Sequence, residues 1–347
     1  MRKFTLLILS LTFASIANAK VVYLDNTKAQ NASENLFSNF ANAYAACTSP
    51  GDTIYVMGSN FNYGDIDISK QIVIIGPGYF LTDNDATQVN KLTANFDDIN
   101  FFAGSEGSII IGIVNSRDIN TDMFIRTSDI TVKNCYIYKA IGIYGNTSTD
   151  NNLSNITIDG CYFNEASSNY VGINRYTTNY SGLLLNLTVT NNIFRRSGMY
   201  VNPGSTGTIS NNLFSGYFKP GTTSSFEIHN NIVLATNPEY IEIQNLPSIS
   251  VSHNISVIDA FGSDNNNLAF VNENILFVGG DSRDGQYQLA AGSPAIGAGQ
   301  GGTDIGPFGG PNPYRLSGLP YLPNIYEVST GGYVIGNSLP VHIKAKQ

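Results

Sequence analysis

Six segments in the middle of the chain alternate apolar and polar residues and then break on a polar pair. They are Ile130-Thr-Val-Lys-Asn-Cys-Tyr-Ile137, Ile156-Thr-Ile-Asp-Gly-Cys-Tyr-Phe163, Leu187-Thr-Val-Thr-Asn-Asn-Ile-Phe194, Gly207-Thr-Ile-Ser-Asn-Asn-Leu-Phe214, Phe226-Glu-Ile-His-Asn-Asn-Ile-Val233 and Ile249-Ser-Val-Ser-His-Asn-Ile-Ser256. The second member of each pair falls at residues 135, 161, 192, 212, 231 and 254, giving intervals of 26, 31, 20, 19 and 23 residues. Alternation puts Ile130 with Val132, Ile156 with Ile158 and Leu187 with Val189 on one face of a strand. No unit this short buries a core alone, so successive units must stack as coils of a solenoid. Stacked parallel strands lie about 4.8 Å apart, which aligns like side chains in columns. Ile137, Phe163, Phe194, Phe214 and Val233 make an apolar column ending at Ser256, and Asn192, Asn212, Asn231 and Asn254 make an amide ladder at a turn. Asparagine tolerates left-handed backbone and hydrogen-bonds along a stack, so a repeated corner selects it.

The flanks predict covers for the two ends of this core. Glu34 to Cys47 reads as a helix capped by Ser33, with Leu36, Phe37, Phe40, Tyr44 and Cys47 on one face. Pro50-Gly51-Asp52 ends it, and Thr53 to Val56 opens the first coil. Ile66, Ile68, Ile72 and Ile74 continue the stacking up to a corner at Gly76-Pro77-Gly78. Beyond the proline- and glycine-rich stretch from Pro307 to Pro323, Asn324 to Val328 and Leu339 to Ala345 read as two strands around Gly331-Gly332. They are expected as a hairpin across the open end, or as an anchoring segment.

The N-N-x-F repeat, the helix-Pro-Gly-Asp-strand order and a late segment resemble right-handed parallel β-helix proteins of the pectate-lyase-like class, over about residues 50 to 310. That late segment, Gln288-Leu-Ala-Ala-Gly-Ser-Pro-Ala-Ile-Gly-Ala-Gly299 followed by Asp304-Ile-Gly306, is similar to the last coil of exported bacterial β-helix proteins. A left-handed hexapeptide helix and a leucine-rich horseshoe fit worse, since strict six-residue periodicity and leucine scaffolding are both missing. The fold class expected is therefore all-β: one right-handed parallel β-helix with an N-terminal capping helix and a C-terminal β-hairpin cap. The organisation expected is a signal peptide at 1–19, the capped β-helix at 20–310, and a cap or anchoring segment at 311–347.

Arg2 and Lys3, the apolar run Phe4 to Ile16, and the small-x-small sequence Ala17-Asn18-Ala19 make up the export signal. The run is short for a membrane helix, which takes about 20 apolar residues, so the mature chain is expected without a membrane span. Secretion, the cell surface or the periplasm is the expected location, and the chain is expected as a monomer. Charged residues are only 13% of the sequence and the net charge is -8, which speaks against nucleic acid as a partner. Three cysteines are too few for a disulfide scaffold. Cys135 and Cys161 occupy the ladder position, either bonded across coils or, as parallel Cβ vectors favour, as two small buried thiols. Cys47 is expected buried and inert.

Chemistry is harder to read. The resemblance implies acidic polysaccharides as substrates, with calcium clusters and a basic residue in lyases, or paired aspartates and a Gly-His motif in hydrolases. No Gly-His occurs, and His229 and His253 are one place out of register. Arg117, Asp118, Asp122 and Asp129 lack a calcium-loop pattern, so no metal and no cofactor is implied. Asp281 to Asp284 reads as a turn, and Asp83-Asn84-Asp85 and Asp97-Asp98 as solvated loops. One constellation remains. Four places past the ladder, consecutive coils carry Lys139, Glu165 and Arg196, and one place earlier Tyr138, Asn164 and Arg195. The longest insertion brings Tyr170, Arg175, Tyr176 and Tyr180 beside them.

Arginine pairs bidentately with carboxylates, so Lys139, Arg175, Tyr176, Arg195 and Arg196 are the candidate substrate-binding residues. Glu165 is the candidate acid or base should burial raise its pKa. The same charges also read as an exposed salt-bridge ladder of little energetic worth. The expectation is an exported, non-catalytic β-helix presenting a polar and aromatic surface to a polysaccharide or envelope component. The alternatives are a polysaccharide lyase or glycoside hydrolase, and a structural protein using the flat solenoid side.

Overall fold

The computed structural model describes residues 19–115, 123–144, 152–164, 172–174, 182–221, 224–243, 250–332 and 338–346. Three all-parallel sheets of 11, 7 and 8 strands wrap one core, so the fold is an all-β parallel β-helix. Each coil crosses them in turn. Thr131–Lys133 lies in sheet I, Tyr136–Ile137 in sheet III and Ile141–Ile143 in sheet II, and the next coil repeats the order. Register follows the repeat without slippage, pairing Val132 with Ile158, Ile158 with Val189, Val189 with Ile209 and Ile209 with Ile228. These five side chains are fully buried inside sheet I.

The predicted apolar column forms the inner face of sheet III. Phe163, Phe194 and Phe214 stack nearly parallel, with centroids 4.4 and 4.6 Å apart. The amide ladder lies beside it. Asn192 donates its main-chain N–H and Nδ2 to Oδ1 of Asn212, which does the same to Asn231, and Asn231 to Asn254. A further rung, unpredicted, is Asn267, which accepts from Asn254 in the same way. Spare Nδ2 capacity goes to main-chain carbonyls of the coil below, such as Asn212 to Val189 O at 2.8 Å. Cys135 and Cys161 continue the ladder as buried free thiols; the Cys161 N–H donates to Asn192 Oδ1 and the Cys135 N–H points at the Cys161 sulfur.

The N-terminal cap differs from the expected helix. Asn35 adopts left-handed backbone (φ 55°), and Leu36–Phe37 then pairs as a short strand with Tyr23–Leu24. The helix α1 begins only at Phe40 and runs Phe40–Ala46, capped by Asn39, whose side chain accepts from the Asn42 N–H. Phe40 and Ala43 seal the core, with Phe40 edge-on to Phe96. At the other end Phe261 lies edge-on to Phe218, and Tyr240, Ile241 and Ile258 pack on the same core.

The largest departure concerns the segment expected as a last coil. The last strands of the solenoid are Ser250–Ser252 and Ile255–Ser256. Residues 276–319 instead run back along the outside as a strap. Leu276, Ala295, Ile305 and Tyr314 bury against an outward apolar column made of Tyr162, Ile193, Leu213, Ile232 and Ile255. The first residues of the polar pairs hold the strap down. Asn134, Asn191, Asn211 and Asn230 all adopt left-handed backbone (φ 50° to 58°). Asn191 Nδ2 donates to the carbonyls of Pro307 and Gly309, Asn211 Nδ2 to those of Asp304 and Gly306, and Asn134 Nδ2 to that of Leu319. A Cβ on Gly306 would stand 2.7 Å from Ile232 Cδ1, so glycine permits the close approach.

The hairpin is present as Asn324–Thr330 with Val341–Lys346, antiparallel. It stands beside the early coils, where the Val89 N–H donates to the Ile325 carbonyl, rather than across the last coil, and its side chains are mostly exposed.

Asn212→Ala removes the acceptor of two buried donors on Asn192 and the donor to Val189 O, so the variant is expected to lose about 3 kcal/mol. Urea unfolding against the outward Thr208→Ala control measures this; equal midpoints for the two variants would show that the ladder carries little stability.

Candidate functional site

The outward column of sheet III runs Val114, Tyr136, Tyr162, Ile193, Leu213, Ile232 and Ile255, with its aliphatic end under the strap. Tyr136 and Tyr162 pair in register there. The loop after Gly78 lays Tyr79 and Phe80 over them: Phe80 is edge-on to Tyr162 at 5.0 Å and to Tyr136 at 5.1 Å. Tyr138 flanks Tyr136, centroids 6.4 Å apart. The half-buried edge of this cluster opens into a cavity of about 390 Å³, walled by Tyr136, Tyr138, Phe80 and Arg283 and edged by Lys91 and Asn95.

Two members of one predicted row come together, and the third, Tyr138, does not join them. Asn164 and Arg195 face each other across Tyr162–Asn164 and Ile193–Arg195. Arg195 Nη1 donates to Asn164 Oδ1 at 2.8 Å, and Asn164 Nδ2 donates to the Tyr136 hydroxyl at 3.1 Å. A guanidinium is thereby linked through an amide to the phenol at the cavity wall. Burial raises the Tyr136 pKa against the opposing pull of Asn164 and of the arginines. Burial also raises Tyr287 on the strap, while Arg195 beside it pulls the other way. Both phenols stay protonated at neutral pH and serve as hydrogen-bonding groups.

The other row is only partly visible. Lys139 is half-buried just past Tyr136–Ile137, and Arg196 is exposed in a left-handed turn (φ 52°), its N–H donating to Ser215 Oγ. Glu165, Arg175 and Tyr176 lie outside the described residues, as do Arg117, Asp118, Asp122, Tyr170, Tyr180 and most of the export signal. His229 pairs with Ser252 rather than with His253, as the spacing requires. Among the described residues no three His, Cys, Asp or Glu side chains converge as a metal site. No helix among them is long and apolar enough to cross a membrane.

Asp281 to Asp284 forms the expected turn and Asp83-Asn84-Asp85 a loop, but Asp83, Asn84 and Asp284 are bonded across the two segments rather than left to solvent. Asp83 makes a bidentate pair with Arg283 (2.6 and 2.9 Å), and that guanidinium lies 3.9 Å over the Phe80 ring. Asp284 is fully buried. Its carboxylate accepts from Asn84 Nδ2, Ser282 Oγ, the Tyr314 hydroxyl and the Ser317 N–H, while Tyr314 meets the Tyr79 hydroxyl at 2.7 Å. Two acidic stretches some 200 residues apart thus fasten the strap to the loop that walls the cavity. Nothing in either stretch alone signals this; only the complementary Asp83 and Arg283 charges hint at it.

No protein-family model matches the sequence, and no curated protein matches it.

The hydrogen bonds with Arg283 hold Asp83 below the ordinary carboxylate range. Its contribution is therefore full above about pH 4 and fades as pH falls through the lowered pKa. Because Arg283 is more than half exposed, the pair is expected to fix the loop locally and to add under about 1 kcal/mol globally. Asp83→Asn should speed amide exchange in residues 79–87 at pH 7 with little change in unfolding midpoint; unchanged exchange would mean that the buried Asp284 cluster alone holds the loop.

Proposed function

We propose that this is an exported β-helix protein that binds a polysaccharide at the tyrosine-lined cavity on the outer face of sheet III, without processing it. The observation that carries this reading is the Tyr136–Asn164–Arg195 chain at the edge of a half-open aromatic cavity. A ring face and a phenol fit the apolar face and hydroxyls of a sugar, and a guanidinium held in place by an amide suits a uronate carboxylate. Lys91, Thr82, Thr93 and Asn95 add hydrogen-bonding groups around the same cavity. Lys139 and Arg196 extend the positive charge along the solenoid, in the direction a linear chain would take. Cleavage by a signal peptidase and a place outside the cytoplasm belong to the same reading, from the pattern of residues 1–19.

The test is retention on immobilised uronate-containing polysaccharides, with neutral glycans as controls, alongside a watch for the ultraviolet absorbance of a newly formed double bond. Retention without new absorbance is the expected result. Tyr138→Ala and Arg195→Ala should each weaken binding roughly tenfold, the size of loss typical of a central contact. New absorbance would replace this reading with a lyase. Absence of both retention and turnover would remove the glycan from the account.

A further inference from the structure

We propose that the Ala19–Lys20 peptide bond is the processing site and that Asp52 is the built receptor for the amino terminus its hydrolysis frees. The inference rests on the export reading of residues 1–19 and is independent of any glycan. Asp52 is 1% exposed, yet its carboxylate accepts only main-chain donors: Thr48 N–H at 2.7 Å and Ser49 N–H at 2.9 Å on one oxygen, and Lys20 N–H at 2.7 Å on the other. Burial pushes its pKa up, but these three bonds and the charge on the Lys20 side chain outweigh it and hold the carboxyl below its ordinary range. Among the described residues its carboxylate stands in no side-chain ion pair. A positive charge in direct contact with the carboxylate lies one reaction away. Hydrolysis adds water across the Ala19–Lys20 bond, leaves a carboxylate on Ala19, and turns the Lys20 nitrogen from a neutral amide into an ammonium already in contact with Asp52 Oδ1.

The surroundings hold that nitrogen in place. The Lys20 carbonyl accepts from the Thr53 N–H, its Nζ donates to Ala46 O at the end of α1, and Val21–Leu24 runs in register with Thr53–Val56. Ala19, just before, is exposed and so accessible to a peptidase. The geometry also selects the bond. A terminus one residue away would carry its charge about 3.5 Å along the chain, off the carboxylate. Processing turns a bond with one charged partner into an ammonium–carboxylate pair on the same two atoms, so it ties the first strand and the capping helix together more tightly.

The test compares the mature chain beginning at Lys20 with a chain that retains Asn18 and Ala19, each with and without Asp52→Asn. The two-residue extension is expected to lower the thermal midpoint by several degrees in the wild-type background and by less than about one degree with Asp52→Asn. Labelling of the α-amine near neutral pH, where it reacts ahead of lysine side chains, should be at least about tenfold slower in the mature protein than in a peptide of residues 20–26. That second measurement decides the matter should Asp52→Asn fail to fold. Equal midpoints together with labelling at the peptide's rate would overturn the latch. A mass for the exported protein that starts at another residue would overturn the processing site, and one retaining residues 1–19 would overturn the export reading while leaving glycan binding to its own test.

Discussion

A coil of this protein can close only where two conditions meet at one corner: a residue that accepts left-handed backbone, and a neighbour that leaves no buried amide unpaired. The polar pair between sheets I and III meets both. The first residue turns the chain, with φ of 50° at Asn134 and 55° at Asn211. The second sits inside, where water cannot compensate a lost hydrogen bond, and its amide both accepts from the coil before and donates to the coil after. Such a ladder is satisfied only if every rung is in register, so it fixes the stacking of the apolar columns beside it. Phe163, Phe194 and Phe214 can lie face to face because the corner admits no slip.

The same corner decides where the remaining chain goes. With its backbone in the left-handed region, the first asparagine points its side chain outward along the edge of sheet III. Asn134, Asn191 and Asn211 spend that amide on carbonyls of the strap. The strap is thereby guided antiparallel to the rise of the solenoid and brings its apolar side chains onto sheet III. A single dipeptide, repeated, sets the inner stacking and the outer covering together.

These two roles were unequally legible in the sequence. The inner one was plain, because identical residues recur at a nearly constant offset from an apolar column. The outer one had a signal that alternation obscured: Ile193-Phe194, Leu213-Phe214 and Ile232-Val233 are apolar at consecutive positions, which marks strands buried on both faces. What covers them was not readable. The strap is recognised through main-chain carbonyls, which every residue owns, so Pro307 or Leu319 bears no mark of its partner. The helix boundary failed for a related reason, since Leu36 and Phe37 suit a helix face and a strand equally and Asn35 alone breaks the pattern. Of the site, the Asn164–Arg195 pairing was legible because it is a ladder contact; the Asp284 cluster was not, because it joins segments that share no periodicity.

The outer column of sheet III also explains why the candidate site lies where it does. Along it run Ile255, Ile232, Leu213 and Ile193, all fully buried beneath the strap, and then Tyr162, Tyr136 and Val114. An aliphatic side chain at Tyr136 would leave an apolar face half open to water, whereas a phenol covers the sheet with its ring and meets Asn164 with its hydroxyl. The half-buried Tyr136 thus lies where the cover passes from the continuous strap to the shorter loop of Tyr79 and Phe80. That loop is held by Asp83 to Arg283 and by Asn84 to Asp284, contacts that the strap itself supplies. The cavity is therefore a consequence of how the chain returns over its own solenoid: the strap buries most of the apolar column, and the loop it anchors leaves the half-buried Tyr136 and its neighbour Tyr138 within reach of a ligand.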